Sequence, residues 1–234
     1  MKTKLGLLSF LALIAVLIGL YFALVYAGTD SIQGNIQRIF YLHLPAFFGA
    51  VLGFGCALIC GIAYLTTRNT KWDMISLSAI EVGLMLAIVT LASGSIWARP
   101  TWNTWWTDSP RLSSTLIMAL TYAAYLFLRQ GFILPEKQRK FAAIYAILAF
   151  STVIFTMVIV RVRSDGIHPV VIGSSPQNTQ GGFAMSDTMK AALFVNMGVW
   201  VFLVTPTLIW WRVRLEQLHV QVKAPKTQFV SEPV

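Results

Sequence analysis

Apolar residues run along this chain in six long blocks separated by short polar connections. The blocks are roughly Leu5–Tyr26, Phe40–Leu65, Met74–Trp97, Leu112–Leu128, Phe141–Val160 and Ala191–Trp211. A helix rising about 1.5 Å per residue needs about 20 residues to cross the hydrocarbon of a bilayer. The pattern therefore predicts an all-α, polytopic membrane bundle of six transmembrane helices. The opening "MKTK" imitates the basic start of a secretion signal. The apolar stretch behind it exceeds the usual core of about 7–15 residues, which favours a retained anchor over a cut near Ala27.

The basic residues orient these spans. With the N-terminus inside, the inner segments hold Lys2, Lys4, Arg68, Lys71, Arg129, Lys137, Arg139, Lys140, Arg212, Arg214, Lys223 and Lys226. The outer segments hold Arg38, Arg99, Arg111, Arg161, Arg163 and Lys190. Twelve against six places both termini in the cytoplasm, the agreement that six spans require. Composition changes little in this picture. The chain of 234 residues is 56% hydrophobic and 12% charged, with a mean hydropathy of +0.68, whereas a soluble domain carries about 25% charge. Its net charge of +9 follows from topology, because no Lys/Arg run exists to form a nucleic-acid stripe. The expected location is the inner or plasma membrane, with the lipid bilayer as a partner and no nucleic acid.

One six-span domain over residues 1–214 is expected, followed by a polar cytoplasmic tail, 215–234, that frays. Cys56 and Cys60 lie four apart within an apolar block, share a helix face, and read as small core residues. The inner connections "TTRNTKWD" and "RQGFILPEKQRK" look like anchoring turns. The outer side is richer, with "AGTDSIQGNIQRIFYLHLPAFF", "WARPTWNTWWTDSPRL" and "RVRSDGIHPVVIGSSPQNTQGGFAMSDTMK".

Candidate chemistry gathers on that outer side. His219 belongs to the inner tail, while His43 and His168 both fall at the outer boundary, each near a proline. Proline disfavours helical backbone in the residue before it, so bent or extended chain is expected near both histidines. A boundary histidine is ordinarily an amphipathic interface residue. Two at one level beside an aromatic loop also suit metal ligation, since neutral imidazole is a common metal and haem-iron ligand. A closed tetrahedral zinc site would need more ligands than this face offers. A haem needs only one or two.

Haem also wants flat apolar walls and cations for its propionates. Trp102, Trp105 and Trp106 have i, i+3, i+4 spacing, so a short helix on the membrane surface would align them. Arg38, Arg99, Arg111, Arg161 and Arg163 lie on the same side and suit bidentate pairing with carboxylates. Ser109 and Pro110 read as N-cap and first residue of the fourth span, with Arg111 at its rim. An aromatic belt without any ligand explains the tryptophans as well, because Trp and Tyr concentrate at membrane interfaces.

The motif "GSIWARPTWNTWWTDSPRLSSTLI" resembles the tryptophan-rich WWD signature of haem-handling proteins of cytochrome c maturation. Within that superfamily, "QRIFYLHLPA", the length and the six spans resemble the CcmC family of haem exporter proteins. The resemblance implies a membrane protein, not an enzyme, that presents non-covalent b-type haem on its outer, periplasmic face. It implies delivery to a periplasmic haem chaperone of the CcmE type, alongside ABC-transporter subunits. It implies His43 and His168 as axial ligands through the haem iron, with Trp97, Trp102, Trp105 and Trp106 as the platform. Arg38, Arg99 and Arg111 would meet propionates or partner. The family pattern "WWxWDxR" is replaced here by "WWTDSPR". The motif acid then falls either on Asp108, displaced by one, or on the position of Ser109.

Two other classes of function compete. A membrane b-type cytochrome would hold histidine pairs within facing spans, and these spans contain no histidine away from the outer boundary. A permease would use intramembrane polar residues, for which Glu81 and Asn196 are the candidates. Glu81 is expected to snorkel towards Arg68 and Lys71 at the inner face, and Asn196 to hydrogen-bond between helices.

Overall fold

The computed structural model describes residues 2–131, 134–162 and 185–223, all in helices and short connections apart from one isolated bridge. Helix α1 spans Lys2–Tyr21 and ends in a π-helical turn, Phe22–Tyr26. A 3₁₀ turn at Asn35–Ile39 leads into α2, Phe40–Thr67. Helices α3, Thr70–Trp102, α4, Pro110–Gln130, and α5, Pro135–Val162, follow. The last span joins α6, Asp187–Val199, through a π turn at Trp200–Val204 to α7, Thr205–Lys223. Among the described residues, six helical segments are long and apolar enough to cross a membrane, as the hydropathy pattern requires.

The ends of these helices follow from local chemistry. Arg68 adopts left-handed backbone, φ 57°, and closes α2. Asn69 then accepts the Lys71 amide through its side chain and starts α3, so "TTRNTKWD" makes a tight turn between antiparallel spans. At the other end of α4, Ser109 accepts the Leu112 amide at 3.4 Å and Pro110 occupies the first helical position. The expected cap is in place.

Helices α2 and α3 form the most extensive pairing. Small residues let their backbones approach: a Cβ on Gly53 would lie 2.8 Å from the Ala79 carbonyl oxygen. Phe54 fills the adjoining space and stacks on Tyr122 of α4, centroids 3.6 Å apart and 4° from parallel. Cys56 packs against this core half-buried, and Cys60 is buried. Asn196 donates to the Gly19 carbonyl at 3.0 Å, bonding α6 to α1 as expected.

Buried charge clamps the end opposite the tryptophans. Arg129 donates to both carboxylate oxygens of Asp73, at 2.8 and 2.6 Å, and to the Tyr125 hydroxyl at 3.1 Å. This ties α4 to the first turn of α3. Glu81 departs from expectation. It does not reach for Arg68 or Lys71 but accepts from Arg212 of α7 at 2.9 Å, because the packing of α3 on α7 brings an opposite charge within reach. The tail departs as well: α7 continues helical past Arg214 to Lys223, and residues 224–234 lie outside the described residues.

Candidate haem site

Helix α2 begins at one end of the bundle, α3 returns to that end, and α4 starts there. Their termini bring His43, Trp97, Trp102, Trp106 and Arg111 to the wall of one cavity of about 290 Å³. Leu44, Phe47, Leu91 and Leu112 form its apolar floor, and Gln33 enters from the connection before α2.

His43 stands in regular helix, not in the bent or extended backbone expected near Pro45. Helix α2 has already started at Phe40, and the ring of Pro45 removes only the bond that its own nitrogen would have made. The imidazole therefore projects from a rigid element. Its Nδ1 lies 3.0 Å from the Thr90 carbonyl oxygen and 3.1 Å from Ser93 Oγ. A carbonyl only accepts, so Nδ1 carries the proton in the neutral ring and Nε2 carries the lone pair. That is the tautomer in which imidazole ligates a metal through Nε2.

The tryptophans divide into three environments. Trp97 is 7% exposed, packs on Phe40 at 5.8 Å, meets the His43 ring edge-on at 6.0 Å, and donates to Gln33 Oε1 at 3.0 Å. It is a buried wall. Trp102 and Trp106 line the same cavity. Trp105 is 58% exposed and does not line it; its carbonyl accepts from Ser95 Oγ at 2.8 Å, which ties the connection back onto α3.

The short surface helix expected across Trp102, Trp105 and Trp106 is absent. Instead α3 runs through Pro100 to Trp102 and stops at Asn103, left-handed at φ 55°, with irregular chain to Ser109. Arg99 secures that stop, donating to both the backbone and side-chain oxygens of Asn103 at 2.6 Å. A cation at a helix C-terminus also complements its dipole. Arg99 is thus engaged at the helix end and does not line the cavity.

Arg111 is the arginine that the fold brings to the cavity wall. Arg38 stays outside the lining, with its Nε buried and no hydrogen-bond partner among the described residues. Asp108 is exposed, while Ser109 is buried and caps α4. His168 and Arg163 lie outside the described residues, as does the side chain of Arg161. His219 is exposed on α7, far along the chain from this end.

Three residues around His43 escaped the sequence reading: Thr90 and Gly94, which line the cavity, and Ser93, whose Oγ meets the ring. They occur at i, i+3 and i+4 on one face of α3, and that spacing within a span was the available signal. A Cβ on Gly94 would lie 2.9 Å from His43 Cε1, so glycine is what admits the ring.

The fold and this cavity define a multi-pass membrane protein that seats an imidazole among aromatic and cationic walls at one end of its bundle. A family model described as Heme exporter protein C matches residues 1–228, and the chain belongs to that family. Heme exporter protein C of Haemophilus influenzae is 29% identical over 226 residues, covering 97% of this chain and 89% of its own length. The protein of that name from Paracoccus denitrificans is 27% identical over 139 residues, covering 59% of this chain and 58% of its own. That of Escherichia coli K12 is 26% identical over 125 residues, covering 53% and 51%. Haem handling for cytochrome c biogenesis by a membrane protein, not an enzyme, is the function class. Glu81 and Asn196, the permease candidates, are both engaged in bonds between helices.

Proposed function

We propose that this chain holds haem as a transient cargo at the tryptophan end of the bundle and presents it to a periplasmic haem chaperone of the CcmE type. His43 and His168 would hold the iron. Trp97, Trp102 and Trp106 are the walls, and Arg111 meets a propionate. Trp105, exposed beside the cavity, faces the partner. Both termini lie in the cytoplasm of a cell with this protein in its inner membrane, and ABC-transporter subunits assemble with it.

The observation that carries this reading is the seating of His43. Its Nδ1–H is engaged by a backbone carbonyl, which directs the lone pair to Nε2 in a cavity with aromatic and guanidinium walls. These donors match a haem: imidazole for iron, flat apolar surface for the porphyrin, a cation for carboxylate. A cavity of about 290 Å³ lies at the lower end of ligand-pocket sizes, roughly 300–1,000 Å³. A shallow hold suits a cargo that must be released. When bound, the iron supplies the coordination bonds; the chain supplies orientation, apolar contact and charge.

The test is an absorption spectrum of full-length, detergent-purified protein given haemin. A six-coordinate, low-spin spectrum is expected, with loss of haem or of one ligand in His43→Ala and in His168→Ala. His219→Ala should leave it intact. Spectra unchanged in both of the first two variants would remove the ligand assignment.

A further inference from the structure

We infer that Ser93 is a positioning residue for the iron ligand, acting with the Thr90 carbonyl to hold His43 in one tautomer and to set the redox balance of bound haem. The inference rests on the reading of His43 as an axial ligand. It concerns residues of α3 that touch the ring from behind.

The hydrogen-bond directions are determined by chemistry. Ser93 Oγ lies 2.7 Å from the Val89 carbonyl and 3.2 Å from the Thr90 carbonyl, both of which only accept. Its proton is therefore spent on the helix, and it offers a lone pair to His43 Nδ1–H at 3.1 Å. The Thr90 carbonyl offers a second acceptor at 3.0 Å. The Thr90 hydroxyl takes no part, since it donates to the Leu86 carbonyl at 2.9 Å. Gly94 completes the seat by leaving room for Cε1. Ser93 and Thr90 are both buried, so water does not compete for the ring.

Two acceptors on one N–H draw electron density towards Nε2 and raise the basicity of the ligand. A more basic imidazole favours ferric over ferrous iron and lowers the midpoint potential. The device also fixes the ring plane on a rigid helix, so binding requires no reorientation of the ligand.

The experiment uses the full chain in detergent, loaded with haemin, and reads midpoint potential and haemin affinity. Ser93→Ala removes one acceptor. The ferric preference should weaken about threefold to tenfold, the scale of one ordinary hydrogen bond, raising the potential by about 28 to 59 mV for one electron. Haemin affinity should fall by about tenfold, the low end of the effect of outer-shell partners. Ser93→Thr keeps the hydroxyl and should restore both values. A Ser93→Ala potential that stays unchanged or falls overturns the inference. If Ser93→Ala binds no haemin, recovery in Ser93→Thr supports it and failure in both counts against it. His43→Ala separates the two levels: an unaltered spectrum there defeats the ligand reading itself, whereas an altered one with an indifferent Ser93→Ala defeats only this inference.

Discussion

Alanine substitutions across the tryptophan-rich stretch should not act alike, and the differences follow from where each ring lies. Trp102 and Trp106 line the cavity, with Trp106 still 36% exposed; Trp105 is 58% exposed and outside the lining. An aromatic pair contributes roughly 0.5–1.5 kcal/mol beyond its burial, and complete burial of a large side chain about 1.5–3 kcal/mol. A ring that covers haem while half open to its surroundings should therefore contribute about 1–2 kcal/mol, a factor of about 5–30 in affinity. Haemin titration of full-length protein, followed by absorption, should give that loss in Trp102→Ala and in Trp106→Ala. The Trp105→Ala loss should stay below about twofold, while transfer to a chaperone falls. Trp97 is a different case. It is 7% exposed and bonded to Gln33, so Trp97→Ala should cost about 3–5 kcal/mol of fold stability. Equal losses in Trp105→Ala and Trp106→Ala would refute the placement. So would full affinity in a Trp102→Ala, Trp106→Ala double variant.

Asp73→Asn should lower the thermal midpoint of the detergent-solubilised protein, because stranding the buried Arg129 charge costs about 3–5 kcal/mol. A midpoint within error of the parent would show the clamp to be dispensable. Arg99→Ala should leave haemin affinity within about twofold, since its two short bonds go to Asn103, whereas Arg111→Ala at the cavity wall should weaken it more; the opposite ranking in the same titration would reverse their roles. A periplasm-active reporter should be silent at the C-terminus and active when inserted at Ser175, and the inverse pattern would overturn the orientation drawn from the basic residues.

What could be read from sequence here is what depends on neighbours along the chain. Six spans follow from the length of apolar runs, and the start of α4 from the adjacent pair Ser109 and Pro110. His43 is legible because imidazole is rare in these spans. Local rules fail where a second helix decides. Proline near His43 suggested bent or extended backbone, yet Pro45 lies within continuous helix, packed into a bundle that outweighs one missing bond; Pro100 is likewise inside α3. Glu81 sits nearer in sequence to Arg68 and Lys71 than to Arg212, and still pairs with the last across 131 positions.

The same reason hides the seat of the histidine. Ser93 meets His43 across 50 positions, and Thr90 across 47. On paper, a threonine, a serine and a glycine inside an apolar span read only as small interface residues of helix packing. They become specific once α2 and α3 are antiparallel in this register, because only then does a carbonyl of one helix face the ring nitrogen of the other. Gly53, deep in the same interface, sets how closely the two backbones approach, with Ala79 as the opposing surface. The spacing that packs the bundle is therefore the spacing that brings the His43 ring within hydrogen-bond reach of α3. A substitution such as Gly53→Ala, far from the cavity, should then disturb the imidazole's hydrogen bonds before it unfolds the protein. A Gly53→Ala protein with lowered thermal stability but an unchanged haem spectrum would separate the two roles and break that link.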